Sequence, residues 1–257
     1  MPVLLWFNDL PLWQSASILT IGASLVSLVG TVIVRILVPE PQLRLNNVFG
    51  GFKFMFLSHI YAGFIGFLLF GVYNSYDQVR ATIVREANAL YTLDRLAGAL
   101  PEATQAQLRE SLRSYAHEVI DSDWPQMRAR SGDPFTTPAL DDLNSVYSAI
   151  DPTSKKQQEI LNISRKLLTR IADDRGVRIF RSNTSLPVLL WAVTIFSTIV
   201  AIVLPWAFGT PNINADMIMS LLSIVMMTSI VLVVLKLSYP FGSSTGITPA
   251  PFIEFAT

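Results

Sequence analysis

The sequence contains no cysteine, which excludes disulfide bonds and thiolate chemistry. It has two histidines, His59 in an apolar run and His117 in a charged one, so no zinc site is expected. Charge is scarce: 15% of residues are charged, against about 25% in an ordinary soluble domain. The 19 basic residues balance the 19 acidic ones, so no basic footprint points to nucleic acid. A phosphate loop, a nucleophile elbow and a paired catalytic set are all missing. No enzyme, catalytic residue, cofactor or metal is therefore expected. The opening "MPVLLWFNDLPLWQ" lacks Lys, Arg and a small-residue cleavage pattern, so a signal peptide is not expected either. Its Trp6 and Trp13 flank Asp9 and Pro11, which suits a segment lying at the headgroup level and orienting the first span.

What the sequence does hold is apolar length. Hydrophobic residues make up 51% of the chain, and nearly charge-free runs cover Ser15–Val38, Phe54–Tyr73, Leu186–Phe208 and Met217–Leu235. Each approaches the roughly 20 residues that cross a hydrocarbon core about 30 Å thick. A polytopic membrane protein with four transmembrane helices follows.

The sequence between the second and third runs differs in kind. Residues 77–184 carry 15 basic and 15 acidic residues, interspersed among apolar positions at helical spacing. Ile83, Ala87, Leu90, Leu93 and Leu96 form one stripe, which Leu100–Pro101 ends. Leu108, Leu112, Tyr115 and Val119 mark a second helix, broken at Trp124–Pro125. Leu140, Leu143, Tyr147 and Ile150 mark a short third, and Ile160, Ile163, Leu167 and Ile171 a long fourth that starts at Asp151–Pro152. The chain thus divides into residues 1–76 (interfacial segment and spans one and two), 77–184 (a helical bundle) and 185–257 (spans three and four with the tail). "DSDW" at 121–124 lacks the glycine and distal glutamate of a calcium loop and reads as a solvated turn. Asp141–Asp142 and Asp173–Asp174 read as surface or helix-terminal charges.

Four spans place both termini and the bundle on one side. That side carries Arg80, Arg85, Arg175, Arg178, Arg181 and Lys236 near the membrane; the other carries Arg35, Arg44 and Lys53. The positive-inside rule assigns the richer side to the cytoplasm, and a multi-pass protein of the cell (plasma) membrane is expected.

Two spans have a polar stripe. At 100° per residue, Phe56, His59, Gly63, Phe67, Phe70, Asn74 and Asp77 fall within a sector of about 80°. Gly66 and Gly71 at its margins allow close approach by another helix. The stripe reads either as knob-and-hole packing or as a face lining an ion path. In the first span Ser17, Thr20, Ser24, Ser27, Thr31 and Arg35 share a face, with helix packing favoured over contact with water. A pore explains both stripes: aromatic rings from several subunits form a constriction that gates by excluding water, with Asn74 and Asp77 just inside. One chain of four spans can scarcely surround a channel, so a closed homo-oligomer is required. Asp77 argues for cations and Arg80, one turn on, for anions, which leaves selectivity open. Glu86, just inside the membrane, stands at a similar depth to Arg175 and Arg178. It reads either as the partner of one of them in an ion-pair lock or as one of three separate solvated charges.

Gly50–Gly51–Phe52, Tyr61, Glu86–Ala87, Leu100–Pro101, Trp124–Pro125, the Arg175/Arg178 pair, Leu186–Pro187 with Leu190–Trp191, and Tyr239–Pro240–Phe241–Gly242 carry a resemblance. By their order and spacing the chain resembles the bestrophin-like domain family of bacterial membrane proteins across nearly its whole length. The resemblance implies an all-α fold of four transmembrane helices with a helical cytoplasmic portion, and a pentameric ion channel built around the second helix. Two departures stand out. Ser238, with Lys236 nearby, occupies the place where such proteins often carry an acidic residue, and the tail offers only Glu254 where bestrophins proper carry a calcium-sensing acidic cluster.

The functional expectation is an oligomeric channel for small inorganic ions, with membrane lipid as its surroundings. Phe67 and Phe70 form the gate, Asn74 and Asp77 the inner mouth, and His59 and Gly63 the outer part of the lining. The competing class is a non-conducting membrane scaffold or sensor whose bundle recruits a partner. A secondary transporter ranks third, since the two halves show no inverted repeat.

Overall fold

The computed structural model describes residues 2–131, 138–242 and 246–257, without the side chains of residues 2–5, 48 and 49. Among the described residues every regular element is helical and none is a strand. Four helices are long and apolar enough to cross a membrane: α2 (Leu12–Leu37), α3 (Glu40–Ala97, its candidate span starting at Gly50), α8 (Val188–Val203, extended by a 3₁₀ turn at Leu204–Ala207) and α9 (Ile213–Leu237). The chain is an all-α, multi-pass membrane protein.

It forms two compact units, one of residues 1–74 with 186–239, the other of residues 75–185 with 240–242 and 246–257. In the membrane-type unit, α2 packs along α9. The hydroxyl stripe of α2 lies in this contact: Ser24, Ser27 and Thr31 are buried, and the Thr20 and Thr228 hydroxyl oxygens are 3.0 Å apart. Ser17 is exposed and Ser15 takes the buried place, its hydroxyl donating to the Pro11 and Leu12 carbonyls. At the end of α2, Arg35 donates to the Thr210 carbonyl and to Asp216 at 2.8 Å. The short helix α1 (Pro2–Asp9) is tied to the far end of α9, where the buried Lys236 ammonium donates to the carbonyls of Asn8 and Leu10 at 2.8 and 2.9 Å.

Between the first two apolar runs lie Pro39, Pro41, Gly50 and Gly51. The structure has helix almost at once: α3 begins at Glu40 and runs unbroken for 58 residues, about 87 Å at 1.5 Å per residue. Pro41 falls in its first turn, where the missing N–H costs nothing. Gly50 and Gly51 sit inside the helix.

In the second unit, the later part of α3 buries Val79, Ile83, Glu86, Ala87, Leu90, Leu93 and Ala97. Around that stripe stand α4 (Glu102–Glu118), α5 (Trp124–Ala129), α6 (Pro138–Ser148), α7 (Lys155–Asn183) and α10 (Ala250–Ala256). Three expectations are corrected. The helix through Tyr115 does not break at Trp124–Pro125: a π-helical turn, Val119–Asp123, joins α4 to α5. A proline ring clashes with the carbonyl four residues back in a regular helix, and the wider turn accommodates it. The N-cap of α7 is Ser154, whose hydroxyl accepts from the Gln157 N–H, so Asp151–Pro152 lies ahead of the helix. Ile163 is exposed, and Leu161, Ser164 and Leu168 carry the buried stripe in its place.

Candidate pore helix and buried charge cluster

Within its unit, the first part of α3 packs through Ile65, Leu68 and Val72. At 100° per residue these centre about 180° from the stripe that runs from Phe56 to Asp77. The aromatic stripe is therefore the face the chain's own core does not use. Phe67 is 79% and Phe70 64% exposed. His59, Gly63 and Asp77 are exposed, and Asn74 is half-buried. His59 Nδ1 lies 2.7 Å from the Met55 carbonyl oxygen, one turn back. A methyl group added at Gly63, Gly66 or Gly71 would meet nothing within 4 Å, so none of these glycines serves packing inside the protomer.

The charged residues form a second site. Arg178 and Glu86 are both 0% exposed, and the guanidinium grips the carboxylate with two hydrogen bonds of 2.9 Å. Two parallel N–H donors matched to two oxygens form the strongest neutralising pair available to a buried charge. Arg178 also donates to Asp123 at 3.0 Å, and Arg175 holds Asp123 with two bonds of 3.0 and 2.8 Å. The Tyr115 hydroxyl donates to Glu86 at 2.7 Å. Two guanidinium groups thus face two carboxylates, and the cluster is neutral when both carboxylates are ionised. The rings of Trp124 and Phe252 flank the Arg178 guanidinium at 5.5 and 5.7 Å. Burial opposes the Arg178 charge, but Glu86, with Tyr115 and Asp123, outweighs it and pushes the guanidinium further up. Burial first, then the Glu86 carboxylate, lifts the Tyr115 phenol well above its usual range. Both groups are locked in one protonation state, which suits a structural tie better than a proton relay.

The structure thus pairs Glu86 with Arg178 and gives Arg175 to Asp123. It overturns the solvated turn expected for "DSDW": Asp123 is buried at the centre of the cluster. Asp174 is likewise buried rather than superficial, and pairs with Arg85 at 2.9 Å. Sequence reasoning also missed Trp124, Met127 and Phe252 as partners of Arg178. Among the described residues no three His, Cys, Asp or Glu side chains converge to hold a metal ion.

A model of the bestrophin-like domain matches residues 21–252. The chain belongs to the bestrophin-like family. Two solved structures share its fold. One is a bacterial bestrophin homologue from Klebsiella pneumoniae carrying a point mutation, with a TM-score of 0.74 at 15% identity over 92% of this chain and 97% of that one. The other, a membrane protein with a single substitution, has a TM-score of 0.67 at 14% identity over 92% and 96% of the two chains. Among curated proteins none matches the sequence. Membership of the bestrophin-like family supports an ion-channel kind of function.

Proposed function

We propose that several copies of this bestrophin-like chain, five in the favoured arrangement, stand in a ring with the outward stripe of α3 facing a shared axis. Small inorganic ions pass along that axis. Phe67 and Phe70 form a constriction that closes by excluding water, with His59 and Gly63 on one side and Asn74 and Asp77 on the other. The bundle and both termini lie in the cytoplasm. Glu86, Arg178, Asp123 and Arg175 lock α3, α7 and the π turn into one rigid body.

One observation carries the reading: the polar and aromatic stripe of α3 lies opposite its packed face and is exposed on the protomer at His59, Gly63, Phe67, Phe70 and Asp77. A face turned to lipid has no use for a histidine, an asparagine and an aspartate, since polar groups in hydrocarbon are costly. A face turned to an aqueous axis does. The test is ion flux into liposomes holding the purified protein. Replacing both Phe67 and Phe70 by alanine should raise flux by about tenfold or more, the change produced by removing roughly 1.4 kcal/mol of barrier. Unchanged flux would place the constriction elsewhere. Absent flux in the unmodified protein, together with a co-purifying partner, would favour the scaffold reading.

A further inference from the structure

Where α3 and α8 run past each other in the membrane-type unit, their side chains leave an open groove of about 460 Å³. Leu57, Tyr61 and Phe64 line one wall; Val193, Phe196 and Val200 line the other. The Tyr61 hydroxyl and Thr198 Oγ1 are 3.2 Å apart, which ties the two helices together beside this space. The groove lies within the membrane-spanning segments of both helices. Its solvent is therefore hydrocarbon, and an extended acyl chain is the occupant its apolar walls suit.

A second observation narrows the occupant. Lys53 lies one turn before Leu57, on the same flank of α3 and next to Phe54, which lines the groove. It is exposed, and among the described residues it has no ion pair. The neighbouring Arg44, by contrast, is held by Glu40 at 2.7 Å. An apolar slot with a lysine one residue before its first lining position on α3 matches an acyl chain joined to a phosphate. We propose that this groove binds one anionic phospholipid per chain, its tail between α3 and α8 and its phosphate on Lys53.

Native mass spectrometry of the detergent-purified protein, titrated with phosphatidylglycerol and separately with phosphatidylethanolamine, tests this. The expected result is one phosphatidylglycerol retained per chain under conditions that strip phosphatidylethanolamine. Lys53→Gln alters an exposed side chain and leaves the fold alone. It should weaken phosphatidylglycerol retention about fivefold, the fold-change for the roughly 1 kcal/mol a single lysine contributes at an anionic surface. Val200→Trp, which fills the groove, should abolish retention of phosphatidylglycerol although Lys53 remains. Equal retention of the two lipids, unchanged retention in Lys53→Gln, or adducts that survive Val200→Trp would each overturn the assignment. The readout needs no conduction, so it stands or falls apart from the pore.

Discussion

Arg178 shows how much a single buried charge demands. Moving a guanidinium out of water costs several kcal/mol, and only close pairing offsets it. Here Glu86 supplies two bonds, Asp123 a third, and the Trp124 and Phe252 rings face the cation. Removing one partner strands the other, so Glu86→Gln or Arg178→Met should each cost about 3–5 kcal/mol of stability, read as thermal unfolding in detergent. The double variant Glu86→Met/Arg178→Met should lose less than either single change, because Asp123 keeps its two bonds from Arg175. Strictly additive losses would show that the pair does not act as a unit. A charge swap is a poor test, since Arg178→Glu would set a carboxylate beside Asp123. Sequence reading could set Glu86 at a similar depth to Arg175 and Arg178 but left open whether either paired with it; the hydrogen bonds select Arg178. Asp123 was not legible. It follows Val119 by four residues on the inward side of the α4 stripe, but an aspartate just before Trp–Pro has the composition of a turn, and only the π turn keeps it in the helix.

At the scale of the element, α3 is defined by two opposed stripes, and the glycines of α2 and α3 fall into two kinds of setting. Gly63, Gly66 and Gly71 face open space within the protomer, whereas Gly30 of α2 lies directly against the Trp206 ring. The same substitution should therefore act differently at each place. Gly30→Ala forces Trp206 to move and should destabilise the monomeric fold by about 1–3 kcal/mol. Gly63→Ala should stabilise the isolated helix by up to about 1 kcal/mol. Any loss it causes should appear only in assembly, as a lower oligomer fraction on size-exclusion chromatography. Gly63→Ala that destabilises the monomer would contradict the open face. The 3.6-residue period revealed the exposed stripe of α3 and the hydroxyl stripe of α2, since both are spacings a sequence displays. It could not reveal that α3 starts at Glu40, because the run between Arg35 and Lys53 mixes polar residues with two glycines and has no apolar period of its own. Nor could it give the bond from Lys236 to α1, which joins residues more than 200 positions apart.

At the scale of the whole molecule, the four spans were legible from apolar length alone, and the helical bundle from balanced charge and periodicity. On α3 the folded protomer leaves exposed the face that carries His59, Phe67, Phe70 and Asp77, and a single chain cannot close a path around it. In the proposed ring that face lines the axis, and the hydrogen bonds of the charge cluster tie α3 to α7. The most direct measurement is a single-particle map of the oligomer in lipid nanodiscs, viewed along the membrane normal. The account predicts a central opening ringed by α3, with Phe67 and Phe70 from each copy converging on its axis and Asp77 beyond them. Phe67 and Phe70 lying against the lipid belt, or an axis filled by tightly packed side chains, would contradict it.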